Sequence, residues 1–248
     1  MFFTLTSSYY TGRYVMKSDW RVYGKKADFK RLADKYSIDQ VIARIIRNRD
    51  ICGDSDIDMY LNGDIKDMHA PKNMKDAVVS VDIIEKKIKE KCRIRIIGDY
   101  DIDGICSIYI LYKGLLAAGA DVDYVVPHRI NDGYGINEHL IDNALSDGID
   151  TIITCDNGIS AYSQVKYAKD NGMTVIVTDH HDVPFDMIDG EKKYCIPPAD
   201  AVVNPKQTSC KYPFKLLCGA GVAYKLICLL YERMGISDKA LEEYREFM

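Results

Sequence analysis

The sequence predicts an α/β protein: a doubly wound, mostly parallel sheet of about five strands flanked by helices, with a helical lead at the N-terminus. Three observations predict it. From about residue 74, short β-branched runs alternate with amphipathic stretches, the pattern of βαβ units. Gly119, Gly148 and Gly172 sit where an amphipathic stretch stops before the next apolar run, the usual C-cap position. A polar cluster follows every apolar run, as expected when the carboxyl ends of parallel strands share one ligand-binding edge.

Taken in order, residues 1–15 are rich in Ser, Thr and Tyr and lack a basic segment followed by a long apolar core, so they are no signal peptide. They read as a disordered tail or as a start placed too early, with Met16 a natural second start. Residues 16–73 read as a basic helical segment. Residues 13–49 carry 11 basic and 4 acidic side chains. Leu32, Ala33 and Tyr36, then Ile38, Val41, Ile42, Ile45 and Ile46, fall at helical spacing, with Arg44, Arg47 and Arg49 on the other faces. Residues 50–73, with Gly, Asp, Asn and Pro71 and little periodicity, read as a connector. The α/β domain occupies 74–248. Helices are expected over 74–91, 104–118, 137–146, 160–169, 221–234 and 237–246, and strands over 94–97, 122–126, 151–155, 174–178 and 201–203.

Composition narrows the classes. The 248 residues are 47% apolar and 28% charged, too apolar for a disordered chain. No apolar run reaches the ~18 residues of a membrane span, so no membrane association is expected. The net charge of −4 argues against a general-purpose basic nucleic-acid binder but leaves room for an enzyme with a local basic patch. The eight cysteines show no C-x-x-C spacing, and several lie in apolar segments, such as Cys106 and Cys228. They suit free thiols in a reducing cytoplasm better than a zinc site or a disulfide framework.

The polar clusters carry the chemistry. Asp99, Asp101 and Asp103 follow the first strand, and Arg129 the second. Asp156 and Asn157 follow the third, and Asp179, His180 and His181 the fourth. Singly, each Asp is an ordinary turn or N-cap residue. Together they place several carboxylates and two imidazoles on one sheet edge. Carboxylates so close repel one another unless a cation neutralises them. A mixed carboxylate–imidazole set suits Mn²⁺ better than Mg²⁺, which prefers oxygen and water. A cluster of this size suits two divalent cations roughly 3.5–4 Å apart, the arrangement of phosphoryl-transfer sites. Arg129 offers a bidentate phosphate partner, and the helix N-termini add anion-binding donors.

Five motifs, in order, then carry a resemblance: GDYDIDG at 98–104, PHR with DGYG at 127–135, DNG at 156–158, DHH at 179–181, and VNPK at 203–206 followed by LCGAGVAYKL at 217–226. The chain resembles the DHH phosphoesterase superfamily over about 90–230. Within it, the chain resembles the RecJ family of bacterial single-strand-specific exonucleases. The resemblance implies Asp101 and Asp103 as ligands of one metal each, Asp156 as the bridge and His180 as a further ligand. It places His181 near the scissile phosphate, so that Asp101, Asp103, Asp156, His180 and His181 form the catalytic set. Asp99 and Asp179 are expected to orient those ligands. Arg129 is expected to hold the phosphate at the 5′ end of the strand, with Asn157 a further phosphate contact.

The implied activity is metal-dependent 5′→3′ hydrolysis of single-stranded DNA to 5′-mononucleotides in repair and recombination, with two divalent cations, Mn²⁺ preferred over Mg²⁺. The implied partners are single-stranded DNA, a single-strand-binding protein and a helicase. One element of the pattern is missing. The family has a further Asp ligand on a strand beyond the helix that begins near Gly219, and Asp238 sits at a helix start instead. The second domain and the oligonucleotide-binding fold of the family are also absent. The expectation is therefore the N-terminal part of a larger protein, incomplete at its C-terminus and weakly active or inactive alone. Two other readings stay open: a phosphodiesterase for short oligonucleotides or cyclic dinucleotides, and a non-catalytic DNA-binding scaffold. Tyr100 and Tyr134 either stack on bases or pack on the sheet, and the basic lead either guides the strand or is a solvated face.

Overall fold

The computed structural model describes residues 4–8, 15–19, 24–128, 133 and 135–248. The chain divides into two compact units, Met1–Met68 and His69–Met248.

The first unit opens with β1 (Thr4–Ser8) and β2 (Val15–Asp19), paired antiparallel from Thr4 opposite Asp19 to Ser8 opposite Val15. Within the stretch 1–15, expected as a disordered tail, Thr4–Ser8 and Val15 lie in strands, in keeping with the β propensity of Thr and Val. The basic lead forms two helices, α1 (Phe29–Tyr36) and α2 (Gln40–Asn48), separated at Ser37, which is left-handed at φ 54°. Asp28 and Asp39 cap them, accepting from the amides of Arg31 at 3.0 Å and Val41 at 2.7 Å. The expected connector contains α3 (Asp54–Asn62) and two short 3₁₀ turns. Only Ile57 of α3 is buried, so its sequence shows almost no period for a reader to find, while Asp54 and Asp56 favour the first turn through the helix dipole.

The boundary falls at 68 rather than 73. The His69 carbonyl accepts from Lys225 Nζ at 2.9 Å and from the Tyr212 hydroxyl at 3.4 Å, which ties 69–73 to the second unit.

The second unit runs α4 (Ala77–Lys89), β3 (Arg93–Ile97), α5 (Ile102–Ala117), β4 (Asp121–Val125), α6 (Glu138–Ser146), β5 (Thr151–Cys155), α7 (Tyr162–Asp170) and β6 (Thr174–Thr178). It continues with β7 (Phe185–Ile188), β8 (Glu191–Tyr194), β9 (Ala201–Val203), α8 (Gly219–Met234) and α9 (Leu241–Tyr244). Among the described residues the main sheet has the order β4-β3-β5-β6-β9, all parallel. This is the expected doubly wound architecture. All five residues of β5 are buried, which is why the central strands read as unbroken apolar runs. The β7–β8 hairpin lies outside the sequence expectation. Every residue in it is exposed, so no in–out alternation marks it.

Right-handed crossovers set the layers. From β3 the chain crosses outward to β4, and from β5 it crosses the other way to β6, so α5 covers one face and α7 the other. Helix α8 packs against both α5 and α4, and α6 packs against α7. Where α5 crosses α8, a Cβ on Gly114 would stand 2.6 Å from Ile227. The glycine is what lets the two helices touch. The reversal of winding between β3 and β5 opens a crevice at their carboxyl ends.

Candidate metal centre

The crevice collects the acidic and imidazole side chains. Asp99 and Asp101 lie in the turn from β3 to α5, Asp103 in the first turn of α5, Asp156 directly after β5, and Asp179, His180 and His181 directly after β6. Two groups of potential ligand atoms lie within 4.8 Å of one another: Asp99, Asp101 and Asp156, and Asp156, His180 and His181. Asp156 belongs to both.

Local folding explains each placement. Asp101 is the N-cap of α5 and accepts from the Gly104 amide at 2.9 Å. Gly104 is forced by proximity, because a Cβ there would stand 2.5 Å from the Asp99 carbonyl. Asp156 is left-handed at φ 59°, an uncommon conformation for a residue other than glycine. That bend turns its buried carboxylate back into the crevice, 3.0 Å from His180 Nε2. Asp179, 1% exposed, accepts from the Ile159 amide at 2.9 Å, the His180 amide at 2.7 Å and His181 Nδ1 at 2.8 Å. It fixes both the loop and the ring of His181.

Three positions differ from expectation. Asp99, expected behind the ligands, offers an oxygen within 4.8 Å of those of Asp101 and Asp156; it is 2% exposed and its Oδ1 has no hydrogen-bond partner. Asp103 is shared between two neighbours. Its carboxylate accepts from the amides of Gly219 and Ala220, both at 2.7 Å, at the N-terminus of α8, and lies 3.4 Å from His180 Nε2. Asn157, expected at a phosphate, is turned inward and 1% exposed. Its amide donates to the carbonyls of Ile97 and Cys155 at 3.1 and 2.9 Å and accepts from the Ile136 amide at 3.3 Å. With its amide engaged in this way it ties the ends of β3 and β5 to the loop that leads into α6. Arg129 and Tyr134 lie outside the described residues, and Tyr100 is half-buried.

Sequence reasoning missed the role of Gly219. A Cβ there would stand 2.7 Å from Asp156 Oδ1, so only glycine lets α8 bring its amides to the carboxylates. The signal was present as a Gly-Ala-Gly at a helix start.

The electrostatics test whether cations fit. Burial pushes Asp156 up to about 6, with Asp103 and Asp101 adding to it and the His180 contact opposing it. Burial also raises Asp99, and Asp101 raises it further. His180 is raised by its bond to Asp156 against the cost of burial, and His181 by Asp179. Burial works against the charge of Asp179, yet its bonds from His181 and from the backbone hold it below the ordinary range. The orienting acid is satisfied by protein donors, whereas Asp99 keeps a partnerless buried oxygen. Hard oxygen donors with two imidazoles are a donor set that fits divalent metals.

Residues 93–248 match the DHH family, N-terminal domain. The single-stranded-DNA-specific exonuclease RecJ of Bacillus subtilis (strain 168) is 35% identical over 211 residues, 85% of this chain and 26% of that protein. RecJ of Salmonella typhimurium is 40% identical over 161 residues, 64% of this chain and 26% of that protein. The chain thus spans about a quarter of the length of these relatives. A crystal structure of exonuclease RecJ bound to manganese is similar with a TM-score of 0.60 at 34% identity, covering 70% of this chain and 41% of that one. RecJ from Thermus thermophilus in complex with Mn²⁺ gives 0.54 at 31% identity, over 70% of this chain and 23% of that one. With the sheet order, the shared Asp156 and the DHH triplet all in place, the chain belongs to the DHH family.

Proposed function

We propose that this chain carries the metal centre of a phosphodiesterase that removes 5′-mononucleotides from the 5′ end of single-stranded DNA. The observation that supports it most is the pair of three-ligand groups sharing Asp156. Similarity to single-stranded-DNA-specific exonucleases supports the substrate. The two similar RecJ structures are manganese complexes, which supports Mn²⁺ as the preferred metal, with Mg²⁺ as the second choice.

Asp99, Asp101 and Asp156 would hold one cation. Asp156 and His180, with His181 and Asp103 at the margin, would hold the other. Two divalent cations supply positive charge that lowers the pKa of an attacking water and offsets charge on the leaving 3′ oxygen. The protein's part is placement. The bend at Asp156 presents one carboxylate to both positions, and Asp179 keeps the His181 ring turned to the reacting phosphate. The amides of Gly219 and Ala220 hold Asp103 in place. Arg129 is assigned to the terminal phosphate, which sets direction. A role in DNA repair and recombination, in the cytoplasm and beside a single-strand-binding protein and a helicase, belongs to the same proposal. No helix among the described residues is long and apolar enough to cross a membrane.

The test is Mn²⁺-dependent release of mononucleotides from 5′-phosphorylated single-stranded DNA by the full-length protein, with and without Asp156→Ala. Loss of release in the variant is expected. Undiminished release would falsify the shared-ligand assignment.

A further inference from the structure

Beyond the metal centre, the same edge of the sheet carries a second feature at its far end. An open groove of ≈ 280 Å³ is lined by Lys72, Lys75 and Lys211, with Asn73, Asp76, Val78, Val79 and Ser209. It lies between the Pro71–Asn73 turn, the start of α4 and the loop after β9. Helix α4 leads into β3 through a short link and so runs antiparallel to it, which puts its first residues toward the carboxyl ends of the strands, where Asp76 meets the Val202 amide of β9.

The charge there is not balanced. Asp76 is the acid of the groove, and its carboxylate is engaged by the Val202 amide at 3.3 Å and Lys75 Nζ at 3.7 Å. Lys72 and Lys211 are exposed, and neither has a carboxylate within 4.0 Å among the described residues. Lys75 is held in place, donating to Gln207 Oε1 at 2.9 Å.

The groove is also tied to the DHH loop. Asn204 donates to the His181 carbonyl at 2.9 Å, and Lys206 pairs with Asp182 at 3.0 Å. Gln207 follows three residues after Asn204, donates to the Val202 carbonyl at 2.6 Å and receives Lys75. One short loop therefore runs from the DHH histidines to the lysines.

The space is smaller than the roughly 300–1,000 Å³ of small-molecule pockets and is open, so it suits a passing chain better than an enclosed ligand. Two exposed lysines, Lys72 and Lys211, with no carboxylate within 4.0 Å among the described residues and beside exposed valines, match a phosphodiester backbone with its sugars. We infer that this groove holds the phosphate backbone of the substrate strand beyond the reacting phosphate, so that the chain senses substrate length here. This rests on the polynucleotide reading above.

The test compares the full chain with the Lys72→Ala/Lys211→Ala double variant. Both side chains are exposed, so folding is not at stake. Binding in Mn²⁺ is measured against salt for a 20-nucleotide single strand and for a 5′-phosphorylated dinucleotide. Each phosphate contact to a single strand contributes about 0.7 to the log–log salt slope. Loss of two should lower the slope for the 20-mer by about 1.4 and weaken its binding about 25-fold at 0.1 M salt. The preference for the 20-mer over the dinucleotide should shrink by the same factor. An unchanged slope, or equal losses for both lengths, overturns the groove assignment alone. If the unmodified protein binds neither DNA, the polynucleotide reading falls and takes this inference with it.

Discussion

The two ends of the same sheet treat their acids in opposite ways. At the amino end, Arg95 on β3 is 7% exposed and grips Asp123 with two bonds of 2.7 Å and Asp147 with one of 2.9 Å. Lys87 pairs with Asp150 at 2.5 Å. At the carboxyl end, Asp99, Asp101, Asp103 and Asp156 crowd together with two imidazoles and no Lys or Arg ion pair among the described residues. Among the described residues, one end balances its acids with Arg and Lys and the other with imidazoles. Acids left in that state destabilise the apo fold, and the difference marks where the protein's function lies.

The sharpest way to break this contrast is Asp156→Asn. Mn²⁺-dependent hydrolysis should fall on the order of 10³-fold, a loss of several kcal/mol at the centre of a two-metal site. The metal-free variant should be more stable than the parent by roughly 0.5–2 kcal/mol, because one buried charge of the crowded set is gone. Mn²⁺ should raise the melting temperature of the parent much more than that of the variant. A metal-free variant that melts lower than the parent would show that the carboxylates are not frustrated.

Next in size is Gly219→Ala, which presses a methyl group 2.7 Å from the Asp156 carboxylate. Mn²⁺ affinity measured by calorimetry should drop about 10–100-fold, as for other losses of ligand support. Affinity equal to the parent would show that α8 can retreat without disturbing the site.

Arg95→Ala tests the opposite end. It leaves Asp123 and Asp147 without their buried partner, and chemical denaturation should show a loss of about 2 kcal/mol, less than for a fully buried pair because both acids reach solvent. Mn²⁺ affinity should not move. A change in metal affinity would mean that the two ends are coupled.

The smallest effect is expected from Asp150→Asn. Burial raises Asp150, yet the Lys87 contact outweighs it and holds the folded carboxyl below its ordinary value. A depressed carboxylate adds stability above its unfolded pKa, and that stability is lost as pH falls through the folded value. The variant should therefore match the parent at and below pH ~3 and trail it by no more than about 0.5 kcal/mol above pH ~5, because the pair is exposed enough to be screened. A larger gap that grew on acidification would contradict the sign.

Much of this was legible in advance, and particular residues show why. The strands of the main sheet could be read because burial on both faces leaves continuous apolar runs, as at β5 and β6. The site loops could be read because a parallel sheet sends every strand's carboxyl end to one edge. The hairpin β7–β8 and helix α3 could not, since neither buries a periodic face. Asn157 misled for a related reason. An Asn beside a ligand Asp looks like a ligand in sequence, and only the positions of the Ile97, Cys155 and Ile136 backbones show that its amide is already engaged.

The sequence by itself determined the doubly wound class, the edge on which the chemistry sits and the roster of acids and imidazoles, because hydrophobic periodicity and strand polarity are local, one-dimensional properties. How that roster divides follows from the packing of distant segments. It brought Asp99 within 4.8 Å of Asp101 and Asp156, made Asp156 common to both groups, and set the amides of Gly219 and Ala220 on Asp103 from more than a hundred residues away. Those assignments depend on distances of a few ångströms between segments remote in sequence. They arise from a left-handed bend at Asp156 and a close contact at Gly219, whose partners lie far away in the chain even where, as at Gly219, the glycine itself stands out in the sequence.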